Sequence, residues 1–237
     1  MKAFYEDLNV NEIRKTLEDA PLSLAIESRL ERISRRFLGV RYDESTLIGS
    51  KSSPEVFTAS LDAFDCVTYV ECVLALALAS NPDEFLVNLR RLRYSEGLID
   101  WKYRNHYMTS WIRNNVRQGF VRNQTRRDDS IIRSRCLDFI SGLSHRTIDV
   151  RAVPKNIFLR RTTDVKDGDL VFFGSTKRNL DIFHCGLVFN VSNQLVMRHA
   201  AKSQKCVVEQ SLEGFLRANR MTGVILVRPI NTSVKSE

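Results

Sequence analysis

The sequence lacks the cysteine patterns that build a metal site or a disulfide framework. Its five cysteines form no CxxC pair and no His/Cys cluster at zinc-ligand spacing, so we expect no structural metal. An odd number of cysteines in a chain of 237 residues also argues against a set of paired disulfides. The thiols are therefore expected to be reduced, at least where the protein folds.

Long apolar runs, internal repeats and low-complexity tracts are absent as well. No stretch approaches 18 uninterrupted apolar residues, which excludes an obvious membrane-spanning helix. The first residues are too charged for the apolar core of a secretory signal. The location stays open, because a signal that was cleaved and replaced, or export by a dedicated machine, would look identical.

The charge of the chain is unbalanced toward the basic side, with a formal net charge of +8. Arginines are spread along the chain and concentrate between Arg117 and Arg135, which favours steering of an anionic ligand. Asp128 and Asp129 interrupt that segment, and no nucleic-acid-binding motif accompanies it. We therefore favour a solvated loop or attraction to an acidic substrate over a nucleic-acid partner.

One cysteine, Cys66, stands directly before the most apolar helix-forming run of the sequence. The run from Val70 to Ala79 predicts a helix that is buried on nearly all sides. Asp65 is a good N-cap residue and places Cys66 in the first turn, where unpaired N–H groups and the helix dipole favour a thiolate. The alternative is that Cys66 is a small buried apolar residue, as free cysteines usually are.

Helical patterns fill most of the first half of the chain. We expect a first helix over residues 11–20, capped by Asn9 or Asn11, and a second, amphipathic helix over residues 23–39. After the buried helix, an Asn-Pro-Asp signal restarts a helix that covers roughly residues 84–94. The front half is therefore predicted to be mainly α-helical.

Two segments carry aromatic side chains that suit either a ligand or a packing layer. Tyr42 lies in a polar connector over residues 40–56, before the cysteine. Residues 94–115 contain both tryptophans, Trp101 and Trp111, together with His106. Aromatic rings with a few hydrogen-bonding groups are typical of a sugar- or peptide-binding wall and equally of internal packing, so both interpretations stay open.

Strand-like patterns replace helical ones in the second half of the chain. Residues 118–155 are expected to be loops with a short helix or strand. From residue 164 onward, five apolar or β-branched runs of strand length follow one another, some of them separated by short polar turns. We expect an antiparallel sheet that runs as a meander, and hence an α+β fold.

Two histidines fall on neighbouring strands of that predicted sheet, His184 on the second and His199 on the third. A cysteine peptidase needs a thiolate, an imidazole within reach of it, and a third polar group that fixes the imidazole tautomer. Cys66, His184 and His199 supply those three types of group. We therefore predict that they form one site.

Side-chain alternation along the second strand predicts which of its residues share a face. One face carries Phe183, Cys185 and Leu187, and the other carries His184, Gly186 and Val188. The glycine on the histidine face leaves room for another group to approach.

Several spaced motifs resemble a known family. FDCVTYVECVLALA, DGDLVFFG, HCGLVF and then RHA resemble the NlpC-type branch of the papain-like cysteine peptidases of bacterial cell walls. FLGVRY, the RxHYxxxW run from Arg104 to Trp111, LDIFHCG and MRHAA resemble one family of that branch more closely. That family was first catalogued as a domain of unknown function and then described as N-acetylmuramoyl-L-alanine amidases. The resemblance covers roughly Phe37 to Pro229.

The resemblance implies a papain-like α+β fold in which the nucleophile-bearing helix packs on the antiparallel sheet. It implies one catalytic domain over residues 1–237. The parts of that domain are N-terminal helices over residues 1–36, the nucleophile loop and helix over 37–80, a family-specific helical and loop insertion over 81–160, and the histidine-bearing sheet over 161–230.

Roles for individual residues also follow from the resemblance. It implies that Cys66 is the nucleophilic thiolate, His184 the general base and acid, and His199 the orienting residue. The backbone N–H of Cys66 would form half of an oxyanion hole. The implied substrate-binding residues are Tyr42 and Asp65 near the nucleophile, and Arg104, His106, Tyr107 and Trp111 in the insertion, which is expected to close over the sugar end of the substrate.

The implied reaction is hydrolysis of the amide between N-acetylmuramic acid and L-alanine, with no metal or organic cofactor. The implied partner is peptidoglycan or a muropeptide, with no nucleic acid and no integral membrane segment, whereas the oligomeric state is not predicted. That substrate implies the periplasm or cell wall, whereas the lack of a visible signal leaves open a cytoplasmic location or export by a dedicated system. The alternatives are a stem-peptide endopeptidase, an acyltransferase, a glycan- or peptide-binding module without catalysis, and a basic nucleic-acid binder.

Overall fold

Helices dominate the first half of the chain and strands the second half in the computed structural model, which describes residues 3–4 and 8–231. The seven α-helices in these residues are α1 (Val10–Asp19), α2 (Ile26–Arg36), α3 (Cys66–Ala77), α4 (Pro82–Arg93), α5 (Met108–Arg117), α6 (Lys155–Phe158) and α7 (Leu212–Ala218). Short 3₁₀ turns occupy Ser95–Gly97, Trp101–Tyr103 and Thr162–Asp164.

Thirteen strands are interleaved with these helices in the described residues. The strands of the first half are β1 (Ala3–Phe4), β2 (Arg41–Tyr42), β3 (Ile48–Ser50), β4 (Ser53–Thr58), β5 (Ala63–Phe64) and β6 (Val121–Asn123). The later strands are β7 (Ile131–Leu137), β8 (Arg146–Ala152), β9 (Asp169–Gly174), β10 (Ile182–Val191), β11 (Gln194–Ala201), β12 (Cys206–Ser211) and β13 (Val224–Pro229).

Two of the predicted helix starts are confirmed by their caps, whereas α2 begins at Ile26, three residues later than predicted, without a side-chain cap. Asn9, one of the two candidates, caps α1 by accepting a hydrogen bond from the Glu12 N–H at 3.1 Å. Asn81 caps α4 in the same way, and Pro82 occupies its first turn, where a missing N–H is harmless.

The central helix α3 is enclosed by the rest of the molecule, as its sequence predicts. Every residue of α3 from Thr68 to Ala77 is buried. The helix packs on α2 and α4 on one side and on β10 and β11 on the other. Beyond its C-terminus, the buried Arg29 side chain donates to the Ala79 carbonyl at 2.7 Å, which satisfies a backbone group that the helix leaves open.

Eight strands form the main sheet, in the spatial order β5, β2, β12, β11, β10, β9, β13, β6. Neighbours in this sheet are antiparallel, except that β2 and β5 are parallel. The five strands predicted after residue 164 are confirmed as β9 to β13. The predicted meander is right only for β9 to β12, because the chain passes through α7 and returns to pair β13 with β9.

Two segments that we expected to be mostly loops contain paired strands instead. The connector over residues 40–56 contributes β2 to the main sheet and begins a small sheet of β1, β4 and β3. Residues 118–155 contain the seven-residue hairpin strands β7 and β8. Because β7 is exposed along most of its length, it shows no apolar alternation from which a strand is predicted.

The main sheet is buried on both faces, and this places the helices. One face packs against the helices of the first half, and the other packs against α7 and Phe158. Successive residues of β9 alternate between the two clusters, with Phe172 in the first and Phe173 in the second. The fold is α+β, and within residues 3–4 and 8–231 no helix has the length and apolarity needed to cross a membrane.

Candidate active site

Cys66 is the first residue of α3, and the preceding residue fixes that helix start. Asp65 Oδ1 accepts hydrogen bonds from the N–H groups of Val67 at 2.9 Å and Thr68 at 2.7 Å. The Asp65 N–H donates to Thr68 Oγ1 at 2.9 Å, which completes a capping box. The predicted cap is confirmed, and the thiol lies at the positive end of a well-formed helix.

The surroundings of the Cys66 sulfur favour its negative form. Its pKa is lowered well below the usual thiol range, first by a hydrogen bond from the Cys185 side chain and then by the hydrogen bond and charge of His184. The Cys185 N–H adds a further hydrogen bond, whereas burial acts in the opposite direction. The Cys66 carbonyl oxygen, 3.2 Å from the Cys185 sulfur, is a second acceptor within reach of the same S–H group.

His184 and His199 contact each other across β10 and β11. His184 Nε2 lies 2.6 Å from His199 Nδ1, and the two rings meet edge to face with centroids 4.7 Å apart. Since Nε2 of His184 is engaged by His199, Nδ1 is the nitrogen left for the Cys66 thiol. The structure thus brings Cys66, His184 and His199 together in one contiguous arrangement.

His199 is suited to accept a hydrogen bond and to stay uncharged. Its pKa is lowered to about 3, first by burial and then by the positive charge of His184. A hydrogen bond with the side chain of Gln210, on the neighbouring strand β12, acts in the opposite direction and raises the pKa of His199. A neutral His199 accepts the His184 Nε2–H at Nδ1, and this fixes the tautomer in which His184 presents a free Nδ1 lone pair.

A β-bulge at the start of β10 changes the predicted faces of that strand. Ile182 pairs with Gly174, and His184 pairs with Phe173, which is adjacent to Gly174 on β9. Two steps along β10 thus match one step along β9, so Phe183 is an extra residue without a partner. Phe183 consequently packs in the cluster that contains Val188, so the prediction that it shares a face with Cys185 is wrong. The remaining alternation is as predicted, since Cys185 and Leu187 belong to the opposite cluster.

Aromatic rings on that face hold the His184 imidazole. Its ring stacks on Phe215 of α7 at a centroid distance of 5.5 Å and on Phe173 at 6.4 Å. Phe215 also contacts His199, with ring centroids 5.7 Å apart. Both imidazoles are therefore positioned by apolar packing as well as by their hydrogen bond.

Gly186 makes the close approach of the two histidine strands possible. A Cβ atom at this position would lie 2.9 Å from the Arg198 carbonyl oxygen and 3.1 Å from the His199 Cβ. The first contact is with backbone, which cannot move aside alone. The expectation that this glycine leaves room for another group agrees with the geometry, and that group is β11 itself.

Tyr42 and Asp65 lie beside Cys66. Tyr42 pairs with Phe64, two residues before Cys66, and its N–H donates to the Lys205 carbonyl at 2.8 Å. The pKa of Tyr42 is raised to about 12, first by burial and then by the negative charge of Cys66, so its hydroxyl keeps its proton. Burial and the charge of Cys66 also raise the pKa of Asp65, to about 6.

Trp111 belongs to a buried network under α3, away from any surface that a ligand reaches. Its Nε1–H donates to Glu71 Oε1 at 3.1 Å, and only 1% of the residue is exposed. Glu71 also accepts from Arg93 Nε at 2.8 Å, and Arg93 donates in turn to the Thr58 carbonyl at 2.5 Å. Of the two interpretations of this tryptophan, the geometry favours internal packing.

Arg104, His106 and Tyr107 line a separate cavity, in which none of the three residues Cys66, His184 and His199 takes part. His106 Nε2 lies 2.7 Å from the Trp101 carbonyl oxygen, and burial lowers the pKa of His106 to about 4. The expected substrate-binding residues therefore fall into two groups, one beside the thiol and one around this cavity.

Two residues that contact the site were not predicted from the sequence as parts of it. Cys185 was assigned to the face opposite His184, yet both contact Cys66, because the thiol lies at a helix end rather than over one face of the strand. The position of Gln210 near His199 could be predicted only from the register between β11 and β12. In that register His199 stands opposite Val208, two residues before Gln210. Neither relation is a local sequence pattern.

Within the described part of the chain, no group of three or more His, Cys, Asp and Glu side chains is placed to hold a metal ion.

Comparison with known proteins links this geometry to amidases. A family model described as AmiA-like, N-acetylmuramoyl-L-alanine amidase-like, matches residues 32–224. A solved N-acetylmuramoyl-L-alanine amidase from Bacteroides uniformis is 26% identical, with a TM-score of 0.78 over 86% of this chain and 99% of that one. A search of curated proteins gave no match.

Two further solved structures share the fold. A Legionella pneumophila protein of the DUF1460 family is 20% identical, with a TM-score of 0.82 over 95% of each chain. A Bacteroides fragilis protein, provisionally described as a xylanase, is 25% identical, with a TM-score of 0.71 over 82% of this chain and 98% of that one.

Proposed function

Because the chain belongs to the AmiA-like family of N-acetylmuramoyl-L-alanine amidase-like proteins, we propose that it is a cell-wall amidase whose nucleophile is Cys66. The proposed reaction cleaves the amide between N-acetylmuramic acid and L-alanine in peptidoglycan or muropeptides. We further propose that the fold belongs to the NlpC-type branch of the papain-like cysteine peptidases, with no metal or organic cofactor in the reaction.

The observation that carries this proposal is the surroundings of the Cys66 sulfur. The thiol stands at the N-terminus of a buried helix, and Cys185 and His184 both stabilise its negative form. His199 contacts His184 at 2.6 Å from the side opposite the thiol. A lowered thiol pKa, a neighbouring imidazole and an orienting group together are the requirements of a cysteine nucleophile.

The first step follows from these contacts. Cys66 passes its proton to His184 Nδ1, and the thiolate attacks the carbonyl carbon of the lactyl group. The carbonyl oxygen becomes negatively charged and is stabilised by the Cys66 N–H, which the capping box leaves without an intrahelical acceptor. One such donor accounts for roughly 10²- to 10³-fold in rate in related chemistry.

The second half of the reaction uses the same imidazole. The His184 imidazolium donates its proton to the nitrogen of L-alanine, and the C–N bond breaks to leave a thioester on Cys66. His184 Nδ1 then takes a proton from water, which attacks the thioester and releases the lactyl carboxylic acid and the Cys66 thiol. His199 remains neutral throughout and holds His184 Nε2–H.

Product analysis with a small muropeptide tests the bond and the nucleophile together. Wild-type protein, Cys66→Ala and Cys136→Ala are incubated with N-acetylmuramoyl-L-alanyl-D-isoglutamine, and the products are identified by mass spectrometry. We expect wild type and Cys136→Ala to release L-alanyl-D-isoglutamine and Cys66→Ala to release none, because Cys136 is an exposed thiol of β7, outside the site.

Turnover by Cys66→Ala would contradict the proposed nucleophile. If wild type leaves this ligand intact but cuts larger wall fragments within the stem peptide, the endopeptidase alternative replaces the amidase.

A further inference from the structure

A cavity of about 380 Å³ lies between α5, residues 102–107 and the turn before β8. The α5 residues that line it are Ser110, Arg113, Asn114 and Arg117. Successive turns contribute Ser110, then Arg113 and Asn114, then Arg117, and this spacing of three or four residues places them on one side of the helix. Other residues of α5 are buried in the core, so the orientation of this helix is fixed and its polar side faces the cavity.

The charge of the cavity lining is one-sided. Five cationic side chains line it, namely Lys102, Arg104, Arg113, Arg117 and Arg146. No aspartate or glutamate of residues 3–4 and 8–231 is among the lining residues. Among the described residues, Arg104 is the one of the five that pairs with a carboxylate, Glu55, at 3.1 Å. In the core, Arg93 pairs with Glu71 at 2.8 Å and Arg198 with Glu209 at 2.7 Å.

Two of the five cations are held in position. Arg104 Nη1 donates to Glu55 Oε1 at 3.1 Å. Arg146 Nη2 donates to Ser110 Oγ at 2.6 Å, and its guanidinium lies 5.7 Å from the centroid of the Tyr107 ring. Guanidinium groups that are already ordered lose less side-chain entropy when a ligand binds.

Lysine and arginine alone set the charge of this cavity near neutral pH. His106 also lines it, but burial lowers the pKa of His106 to about 4, and the nearby positive charge of Arg104 acts in the same direction. The imidazole is therefore neutral in this range, and the positive potential persists unchanged across it.

We propose that this basic cavity binds a small ligand that carries two or more oxyanion groups, either carboxylates or phosphates. Clustered like charges raise the free energy of the empty protein, and a ligand with several negative oxygens relieves that repulsion through charge-assisted hydrogen bonds. A volume of about 380 Å³ is within the range of small-ligand sites. A neutral sugar would leave Lys102, Arg113, Arg117 and Arg146 without anionic partners.

The carboxylate form of the ligand rests on the proposed function, whereas the phosphate form does not. The stem peptide of a muropeptide carries free carboxylates. Its sugars carry none, because the lactyl carboxyl of N-acetylmuramic acid is bound in the amide to L-alanine. The charge of the lining thus favours the acidic peptide, and not the sugar end, as the part that Arg104, His106 and Tyr107 contact.

Direct binding to Cys66→Ala protein tests this proposal without turnover. Three probes are titrated by calorimetry: a muramyl tetrapeptide with free carboxylates, the same compound with its carboxylates converted to carboxamides, and inorganic pyrophosphate. We expect the carboxylated peptide or pyrophosphate to bind, with an affinity that falls as salt is added. The carboxamide and pyrophosphate titrations separate the two sources of oxyanion.

The cavity arginines are tested against a matched pair. The test variant carries two substitutions in the cavity, Arg113→Gln and Arg117→Gln. The control variant carries Arg122→Gln and Arg127→Gln, which remove the same charge from exposed positions outside the cavity. We expect roughly tenfold or greater loss of affinity in the first double variant, because a hydrogen bond to a charge contributes about 1.5–3 kcal/mol. The second should change affinity by less than about threefold.

Three results would overturn the proposal. The first is that neither the carboxylated peptide nor pyrophosphate binds. The second is that the two double variants lose equal affinity. The third is that the carboxylated and carboxamide peptides bind with equal affinity while pyrophosphate does not bind. Hydrolysis of small muropeptides by wild-type protein reports on the amidase separately, so each proposal can fail alone.

Discussion

The Cys66 sulfur favours a negative charge, and two of its neighbours, Cys185 and Tyr42, keep their protons. The pKa of Cys185 is raised well above the usual thiol range, first by its hydrogen bond with Cys66 and then by burial. Burial and the Cys66 charge raise the pKa of Tyr42 to about 12. Both side chains therefore keep their protons and remain hydrogen-bond donors near the Cys66 sulfur.

The Cys185 donor makes a prediction about the pH dependence of Cys66. In Cys185→Ala the pKa of Cys66 should rise, so the increase in its alkylation by iodoacetamide should move to higher pH. At a pH below both pKa values the rate should fall roughly tenfold, because a hydrogen bond to a charge contributes about 1.5 kcal/mol or more. Peptide mass mapping of Cys66 over a pH series measures this.

Cys206→Ala serves as the control, since Cys206 begins β12 outside the described contacts of the Cys66 sulfur. Its Cys66 profile should superimpose on that of wild type. A Cys185→Ala profile that does the same would remove Cys185 from the account of thiolate stabilisation.

The sequence predicted the three central residues but not their donors. Cys66 follows a capping residue and precedes an apolar helix, and the histidines stand on strand-like runs, so each has a local signature. The contact between Cys66 and Cys185 depends on where the end of α3 meets β10, which is a property of tertiary packing. No local pattern encodes it.

At the scale of elements, the pairing of β10 with β11 depends on Gly186. We predict that Gly186→Ala lowers the free energy of unfolding by about 1–3 kcal/mol, because the added Cβ overpacks a buried strand contact. Its nearest neighbour would be the Arg198 carbonyl oxygen at 2.9 Å. Urea unfolding measures the stability, and muropeptide hydrolysis measures the effect on the adjacent histidines.

Gly214→Ala is the matched change for this test. A Cβ there meets Ser211 atoms no closer than 3.5 Å, and the position is helical, so stability should stay the same or rise slightly. If Gly186→Ala unfolds at the same urea concentration as wild type and hydrolyses substrate equally well, the close approach of the strands has no energetic role.

Elements with an apolar side were predictable, and exposed ones were not. The helices α1 to α4 and the strands β9 to β13 are buried on one or both sides, so their apolar residues recur at helical or strand spacing or form continuous runs. The hairpin of β7 and β8 is held by backbone pairing over seven residues of each strand, while β7 is largely solvent-exposed. The bulge at Phe183 could not be predicted either, because a single inserted residue does not change the amino-acid composition of the strand noticeably.

On the scale of the whole molecule, one buried hydrogen-bond network connects the helices α4 and α5 to α3. Glu71 of α3 accepts hydrogen bonds from Arg93 of α4 and Trp111 of α5. The same helix α5 presents Arg113 and Arg117 to the basic cavity. Part of the net charge of +8 is thus gathered around a helix that the buried network connects to α3.

The α+β class and the amidase family were accessible from sequence because their motifs are spread along the chain in a fixed order. Matched residues 32–224 include α3 and every histidine-bearing strand. The basic cavity was not accessible, since its lining comes from four segments that only the fold brings together. Charge clustering of this kind is visible only once distances are known.

The measurement that tests the central claim most directly is identification of the groups freed from purified peptidoglycan. Wild-type protein should expose new N-terminal alanine and create no new reducing sugar ends, whereas Cys66→Ala should do neither. New amino groups on a residue other than alanine, or new reducing ends, would show that a different bond is cut and would contradict the amidase account.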